Sequence, residues 1–278
     1  MAVKIHVVDR VSTYPGRVEL KPVSGTVYDM VRADVPIEVG TPLNKALFDQ
    51  KVDGLTEDIT VYVNGSSGSD STGDGSSAAP YATIQKAIDE IPKYLNGNSA
   101  QIDIASGTYN ENLSINGFQG GRLTVGVSSK AVVVRGISVI SSTGVCLNIA
   151  NITRNTNSPT ALLYVGYGSV VGVLSPIVIS GGNAAVNGIS MEHGSVLYTG
   201  NSAVTVQNCG ASCILANTGA QGMFYSVAGT GNTSSGLRAE RGAKLSYVSK
   251  TLTATNGDYT GSGGRILTGS ATAAASVE

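Results

Sequence analysis

Residues 62–92 read YVNGSSGSDSTGDGSSAAPYATIQKAIDEIP, and this stretch decides the fold. A strand-like Tyr-Val pair leads into a run of small polar residues, which leads into a segment with helical periodicity. The apolar residues of that segment fall on one face of a helix: Ile84, Ala87, Ile88 and Ile91. Thr83 can cap the start of the helix, and Pro92 marks its end. The stretch predicts one short amphipathic helix, at 83–91, before a region that otherwise has the pattern of strands and turns.

The region after this helix carries a repeat that is marked by single glycines. An apolar residue stands five positions before each of six glycines: Gly120, Gly144, Gly168, Gly194, Gly219 and Gly242. The intervals between these glycines are 24, 24, 26, 25 and 23 residues. The third and fifth residues after each glycine are mostly apolar, which is typical of a strand with one buried face. Constant spacing predicts a β-solenoid whose equivalent residues stack in ladders, whereas the competing β-sandwich needs no such spacing.

A second β-rich run occurs in several coils, at Ile177–Ile179, Val204–Val206 and Leu252–Ala254. The first coil of a solenoid would expose unpaired strand edges and an apolar interior, which promote aggregation. We therefore expect the helix at 83–91 to cover that end of the coil. In the later coils we expect outward apolar side chains to form contacts between protomers: Val196, Tyr198 and Met223.

The first 57 residues differ in composition from the rest of the chain. They hold 15 of the 37 charged side chains, which leaves 22 for the other 221 residues. Turn signals at Tyr14-Pro15-Gly16 and Ser24-Gly25 predict short strands there, and GTPLNKALFDQK at 40–51 predicts a helix. We divide the chain into three parts: a small docking module at 1–57, a solenoid shaft at 58–255, and a Gly/Ala/Ser-rich tail or cap at 256–278.

Composition and charge argue against several classes of function. The formal net charge is −1, which gives no reason to expect a nucleic acid or an anionic membrane as a partner. Three cysteines and two histidines lack the spacing of a zinc site, so we expect buried thiols, no metal and no cofactor. The N-terminal MAVKIHVVDR has no apolar signal core, and no apolar run approaches the length of a membrane span. We therefore expect no membrane insertion.

Residues 62–92, together with IDIASGTYNENLSINGF at 102–118, resemble the beginning of right-handed parallel β-helices of the pectate-lyase-like superfamily. The shared features are the Tyr-Val strand, the Gly/Ser/Asp loop, the Pro-Tyr-Ala-Thr-Ile-Gln helix start and the strand ending in Gly-Thr-Tyr-Asn-Glu. The resemblance implies a mainly β fold, a right-handed parallel β-helix with an N-terminal capping helix and a small N-terminal attachment module. The superfamily includes polysaccharide lyases, pectin esterases, and the tailspikes and fibres of bacteriophages.

The segments TYPGRVELKPVSGTVYDMVRAD at 13–34 and GTPLNKALFD at 40–49 are similar in style to virion-attachment segments of phage and prophage appendages. This resemblance implies a structural fibre or spike, a homotrimer that binds other virion proteins through residues 1–57. We expect it in the virion, after assembly in the host cytoplasm, where it would mediate attachment or bind a host-surface glycan. The alternatives are a polysaccharide depolymerase tailspike, of the lyase or glycoside hydrolase type, and a capsid-decorating head fibre.

Acidic residues are scarce in the repeat, and two of them occupy equivalent positions. Glu192 and Glu240 each stand two residues before a coil glycine, with His193 and Arg241 next to them. Two coils at strand spacing would separate the carboxylates by roughly 9.6 Å, close to the separation of about 6.5–9.5 Å in inverting glycosidases. Such residues could form an inverting pair, a polar strip that binds sugars, or an ordinary solvated turn. We assign no catalytic residue and predict four ligand-binding candidates: Glu192, His193, Glu240 and Arg241.

Asp70 and Asp74 lie in the polar loop SDSTGDG at 69–75, a composition that could suggest calcium binding. Their spacing departs from the calcium-loop pattern, in which acidic ligands alternate with single residues ahead of a glycine. We therefore interpret 69–75 as a polar loop that leads into the helix.

Overall fold

The computed structural model describes residues 18–24, 27–32, 54–154 and 161–268 of the chain. The chain divides into two compact units, Met1–Asp53 and Gly54–Glu278, and each is described by itself.

In the first unit, β1 (Val18–Ser24) and β2 (Val27–Arg32) pair in the antiparallel direction. Short strands were expected in this part of the sequence. The helix predicted within 40–51 lies outside the described residues. The domain limits at 57 and 255 stay predictions.

The second unit is a parallel β-solenoid of about seven turns, which confirms the predicted fold and its coil length of roughly 24 residues. Its strands form three faces, which we call A, B and C. Neighbouring strands on one face come from successive coils and run parallel to each other. In the middle of the solenoid each coil therefore contributes one strand to each face before the chain passes to the next coil.

Face A contains β3 (Ile59–Val63), β4 (Ser99–Ile104), β7 (Arg122–Val125), β10 (Val145–Leu147), β13 (Val170–Val173), β16 (Val196–Tyr198) and β23 (Arg265–Thr268). Face B contains β5 (Gly107–Thr108), β8 (Val132–Val134), β11 (Asn151–Thr153), β14 (Ile177–Ala184) and β17 (Ala203–Cys209). Face C contains β6 (Asn112–Asn116), β9 (Gly136–Ile140), β12 (Ala161–Gly166), β15 (Asn187–Met191), β18 (Ile214–Ala216), β20 (Leu237–Glu240) and β22 (Tyr259–Gly261). Two longer strands, β19 (Gln221–Asn232) and β21 (Lys244–Ala254), pair with both face A and face B.

The core consists of ladders of aliphatic side chains that point inward from each face. On face C one ladder continues through six coils: Leu113, Ile137, Leu163, Ile189, Ile214 and Leu237. Each of these side chains is at most 1% exposed, and burying one contributes about 1.5–3 kcal/mol. The equivalent ladder on face A has a glycine at Gly222, where a Cβ would lie 2.6 Å from Leu245 and 2.7 Å from Phe224. Those larger neighbours occupy the space that Gly222 leaves.

The sequence pattern predicts two β runs in a coil, whereas the structure has three strands. The third strand, on face C, contains the apolar residues that precede the glycines, for example Ile189 and Ile214. Some face C strands are very short, since β18 has 3 residues and β20 has 4. An alternation with a period of two cannot be recognised reliably in so few residues.

The later coils pass from face C to face A through the same tight turn. The first carbonyl of each four-residue turn accepts a hydrogen bond from the fourth amide, at 2.9–3.3 Å. The two central residues both have positive φ, as in a type I′ turn, and the second of them is glycine. We call this set of turns the turn ridge: 166–169, 192–195, 217–220, 240–243 and 261–264.

Backbone conformation, and not lack of space, requires the glycines of the turn ridge. φ lies between 70° and 76° at four of them: Gly168, Gly194, Gly219 and Gly242. A Cβ at any of these positions would have no neighbour within 4 Å. The amide of each donates to the carbonyl of the residue before the glycine in the next coil, for example from Gly168 to His193 at 3.0 Å. Consecutive turns are therefore hydrogen-bonded to each other along the ridge.

The glycine alignment is wrong by two residues at Gly144. On face A, Val145 pairs with Leu123 on one side and with Val171 on the other, so Val145 takes the place that the alignment gives to Leu147. Side chains alternate between the two sides of a strand, so a shift of two residues leaves an inward side chain pointing inward. The apolar pattern alone could not reveal this shift.

The helix predicted at 83–91 is present as α1 (Ile84–Glu90), which packs against β3, β4 and β6 at the start of the solenoid. Its apolar face is fully buried, and it belongs to the same hydrophobic cluster as the inward side chains of the first coil, such as Ile102. Thr83 is the N-cap, and its Oγ1 accepts a hydrogen bond from the amide of Lys86 at 3.3 Å.

Two carboxylates from outside the helix hold its N-terminal end. Asp70 Oδ1 accepts hydrogen bonds from the amides of Ala82 and Thr83 at 2.8 and 3.0 Å, and its Oδ2 accepts one from the Thr83 hydroxyl at 2.7 Å. Glu111 accepts hydrogen bonds from the first two helix amides at 3.0 and 2.8 Å. The polar loop at 69–75 therefore contributes to the cap of α1.

The pKa values of these two carboxyl groups shift in opposite directions. Burial, the largest influence, raises the pKa of Glu111 and outweighs the opposing hydrogen bonds from Gln85 and Ile84. Burial acts upward at Asp70 too, but the hydrogen bonds from Thr83 and Ala82 together hold its pKa below the usual 3.8. Asp70 therefore stabilises the folded state most in its charged form.

We expect Asp70→Asn to lower the free energy of unfolding at neutral pH by about 1 kcal/mol, the typical cost of a lost helix cap. Because folding lowers the pKa of Asp70, its contribution is present above pH 3.8 and is lost as the pH falls through the folded-state pKa. The difference in the free energy of unfolding between parent and variant should therefore become smaller at acidic pH, as measured by urea unfolding followed by circular dichroism. Asp74→Asn is the matched control, since Asp74 accepts from the Ser76 amide within the loop. An equal decrease in the free energy of unfolding in Asp70→Asn and Asp74→Asn would contradict the capping role of Asp70.

Thr218 offers a second test, because it is a β-branched residue with a φ of 50° in the turn ridge. Asparagine tolerates this left-handed region better than threonine does, so Thr218→Asn should raise the free energy of unfolding by about 0.5–1 kcal/mol. The control is Thr60→Asn at an exposed position of β3, where a β-branched residue is favoured and no gain is expected. Chemical unfolding measures the free energy of unfolding of both variants. A lower value for Thr218→Asn than for the parent would show that the turn depends on the threonine side chain.

Candidate functional site

The turn ridge carries all four predicted ligand-binding residues. Glu192 and His193 are the first two residues of one turn, and Glu240 and Arg241 are the first two of another. The strand register on face C aligns Glu192 and Glu240 in one ladder, with Asn217 of the intermediate coil between them. The structure therefore places the two pairs on the same edge of the solenoid, two coils apart.

His193 stacks on Tyr167, which occupies the equivalent turn position in the preceding coil. Their ring centroids are 4.5 Å apart, and the ring planes differ by 4°. Both residues have positive φ, 56° at Tyr167 and 55° at His193. Tyr167 is 55% exposed, so its ring remains open to solvent despite the stacking.

Glu192 lies next to this pair of rings. Its Oε2 is 3.8 Å from His193 Nδ1, so protonation of the imidazole would place opposite charges side by side. The Ser190 hydroxyl donates a hydrogen bond to Glu192 Oε1 at 3.3 Å. The carboxylate is thus oriented by neighbours on its own strand and turn, while 28% of the side chain stays exposed.

Tyr164 completes the surroundings of Glu192. Its ring lies across Gly166, since a Cβ added to that glycine would meet the Tyr164 Oη at 2.5 Å. Burial raises the pKa of the Tyr164 hydroxyl, and the negative charge of Glu192 raises it further. We call this group of side chains from two successive coils the Tyr167 cluster: Tyr164, Tyr167, Ser190, Glu192 and His193.

The two tyrosines of the cluster were not predicted from the sequence. They can be found once the strand register is known, because Tyr164 then pairs with Ser190, a neighbour of Glu192, on face C. Tyr167 then takes the same turn position as His193, ahead of the turn glycine. The stacking itself depends on which side-chain rotamers the two rings adopt, and the residue types alone do not specify this.

Glu240 has a different environment from Glu192. Its Oε1 lies 2.9 Å from Arg238 Nη2, and the Arg238 guanidinium is 5.1 Å from the ring centroid of Tyr259. Glu240 is therefore engaged in a salt bridge on its own strand. Although the two carboxylates share a ladder, the aromatic stack and the hydroxyl neighbours occur at Glu192.

The three residues expected to contact other protomers lie on the outer side of face A. Tyr198 pairs with Met223, and Val196 pairs with Gln221 in the same two strands. Val196 and Tyr198 are half-buried, whereas Met223 is 38% exposed. The ring of Tyr198 lies over Gly172 of the preceding coil, where a Cβ would be only 2.9 Å from the Tyr198 Oη. Of the three residues, Met223 therefore offers the largest fraction of its surface to a neighbouring molecule.

The described part of the chain offers no other cluster with evident chemistry. The three cysteines, Cys146, Cys209 and Cys213, are buried and unpaired, and burial raises the pKa of Cys209 to about 11 and that of Cys213 to about 12. Within 54–154 and 161–268, no three His, Cys, Asp or Glu side chains come together as a metal site. No helix among the described residues is long and apolar enough to cross a membrane.

Comparison with known proteins found no protein family, no curated protein and no solved structure that matches this chain.

Proposed function

We propose that the chain is a structural component of a virion appendage, a fibre or spike of a phage or phage-derived particle that assembles as a homotrimer. Support comes from the parallel β-solenoid, which holds every coil against its neighbours and so suits a rigid display element. Residues 1–57 would attach it to other virion proteins, and this assignment rests on the resemblance of the sequence segments described above. The solenoid would display a surface to the host cell.

The number of copies rests on the resemblance of the sequence, and the observation that supports self-association is a patch of exposed apolar side chains on the last coils. We call it the outer patch, and its members are 38–48% exposed: Met223, Tyr225, Val248 and Leu267. Met223 and Leu267 lie in one column on face A, with Ser246 between them. Exposed apolar residues that cluster in this way are typical of protein–protein contacts, whereas scattered ones are normal on any surface.

Association in a symmetric trimer would bring three copies of any surface site to one particle appendage, and several appendages would multiply this further. Weak contacts with the host surface then combine into firm attachment, because linked sites bind at a high effective concentration. A solenoid of hydrogen-bonded coils keeps such sites at fixed separations. This is the physical reason to connect the fold with attachment.

The trimer can be tested with charged substitutions in the outer patch. We expect the parent chain to have about three times the 28.2 kDa mass of one protomer, and Met223→Asp and Leu267→Asp to shift it to monomer. The reason is that an unpaired carboxylate buried in an apolar contact is strongly unfavourable. Tyr94→Asp is the control, since Tyr94 is 55% exposed on the first coil, away from the outer patch. Analytical ultracentrifugation measures the masses, and a monomeric parent or trimeric variants would contradict the proposal.

The location can be tested on particles. We expect antibodies against the solenoid to label an appendage on virus particles produced by the host that encodes the chain, in negative-stain electron micrographs. Labelling of the capsid surface would indicate a head fibre. Absence of the chain from purified particles would overturn the virion assignment.

A further inference from the structure

We propose that the Tyr167 cluster binds one ring of an uncharged, hydroxyl-rich saccharide. The inference deepens the attachment role, and it rests on that role only for the biological source of the sugar. Its physical basis is a flat aromatic surface beside a carboxylate that still has free acceptor sites.

The aromatic surface is the open side of Tyr167. His193 covers the ring face on the side of the following coil, at a centroid distance of 4.5 Å. The opposite ring face is on the side of the preceding coil, where the equivalent position is the small exposed residue Ser141. A planar or chair-shaped ring can therefore lie against Tyr167 without meeting a large side chain at that position. Aromatic faces carry partial negative charge and attract the polarised C–H groups of a pyranose ring.

The carboxylate of Glu192 supplies directional hydrogen bonding. An ionised carboxylate has about four acceptor positions, and the contacts with Ser190 and His193 involve one on each oxygen. The remaining positions can accept hydrogen bonds from two adjacent hydroxyl groups of a sugar. The Tyr164 hydroxyl, which lies over Gly166 at the same edge, adds a donor.

The charges in the cluster favour an uncharged ligand. Glu192 is its acidic member, and its negative charge adds to the effect of burial in raising the pKa of the Tyr164 hydroxyl. A uronic acid or another anionic sugar would meet the same repulsion. Tyr164, Tyr167 and Ser190 carry no positive charge that would offset it, and the cluster's imidazole, His193, has its Nδ1 3.8 Å from the Glu192 carboxylate. Neutral hexoses avoid this cost and keep the hydrogen bonds to hydroxyl groups.

The backbone fixes the relative position of the two stacked residues before any ligand arrives. Tyr167 and His193 both occupy the left-handed region, which is uncommon for residues other than glycine and which this position adopts in every turn of the ridge. The Gly168 amide donates to the His193 carbonyl at 3.0 Å, so the two turns are fixed relative to each other. A rigid site loses little conformational entropy on binding, which helps a shallow surface to hold a small ligand.

The test uses the full-length protein and isothermal titration calorimetry. The probes are neutral hexasaccharides of glucose, galactose, mannose and N-acetylglucosamine, with hexagalacturonate as the anionic comparison. We expect at least one neutral probe to bind with a dissociation constant of about 1 mM or below, and hexagalacturonate to bind at least about tenfold more weakly.

Three variants examine the site, and each is first compared with the parent by circular dichroism and by mass. Tyr167→Ala and Glu192→Gln should each weaken binding by about tenfold or more. Gly166→Ala should also weaken it, because the new methyl group displaces the flexible end of Tyr164 while the backbone at Gly166 needs no positive φ. Tyr94→Ala is the matched control, since Tyr94 has the same exposed fraction of 55% as Tyr167.

Each outcome decides a separate question. If no neutral probe binds, or if hexagalacturonate binds better, or if Tyr167→Ala binds as the parent does, the saccharide site is wrong even when the chain is found on virus particles. If the site binds neutral sugars as expected but the chain is absent from particles, the sugar site stands and the virion role falls.

Discussion

The later coils of the solenoid depend on one backbone constraint, the left-handed turn that carries the chain from face C to face A. In four of the five turns the glycine amide donates to a carbonyl in the next coil, so such a turn is bonded both within itself and to its neighbour. Only glycine adopts this conformation without cost at the second central position. The inward ladder of face C starts in earlier coils, at Leu113 and Ile137. From Gly166 onward the ladder and the turn ridge occur in the same coils and support each other. The aliphatic ladders supply most of the stabilisation, and the turns determine which side chains of successive coils stack on each other.

The residue before each turn glycine is under the same constraint but is not glycine. It is tyrosine, histidine, threonine, arginine or serine, at φ values between 50° and 56°. These residues have to bear a cost of about 1 kcal/mol each, although asparagine or glycine would reduce it. At this position the side chain projects from the corner of the coil, away from the core ladders. The choice of residue there is therefore free of packing demands, and large aromatic and charged side chains point to a role at the surface.

Sequence reasoning succeeds where a signal is local or strictly periodic. The helix at 83–91 is recognisable because its cap, apolar face and terminating proline lie within ten consecutive positions. The solenoid is recognisable because the glycines recur at nearly constant spacing. Sequence reasoning fails where two interacting residues are far apart in the chain. Asp70 and Glu111 contact the helix from other segments, and no local pattern in the sequence indicates these contacts. It also fails at Gly144, since a shift of two residues preserves the apolar pattern and is visible only in the strand pairing.

The contrast between Glu192 and Glu240 shows why the candidate site could be predicted only in part. Their shared position before a coil glycine places both on the ridge, and the sequence contains that much. Their chemistry is set by the residue two positions earlier on the same strand, which is Ser190 in one coil and Arg238 in the other. A serine hydroxyl leaves the negative charge of Glu192 without a cation on its own strand, while the Arg238 guanidinium pairs with the charge of Glu240 in a salt bridge. Because Tyr167 adds an aromatic face beside Glu192, equal positions in the repeat produce one surface suited to a ligand and one whose carboxylate charge is paired with a neighbouring arginine.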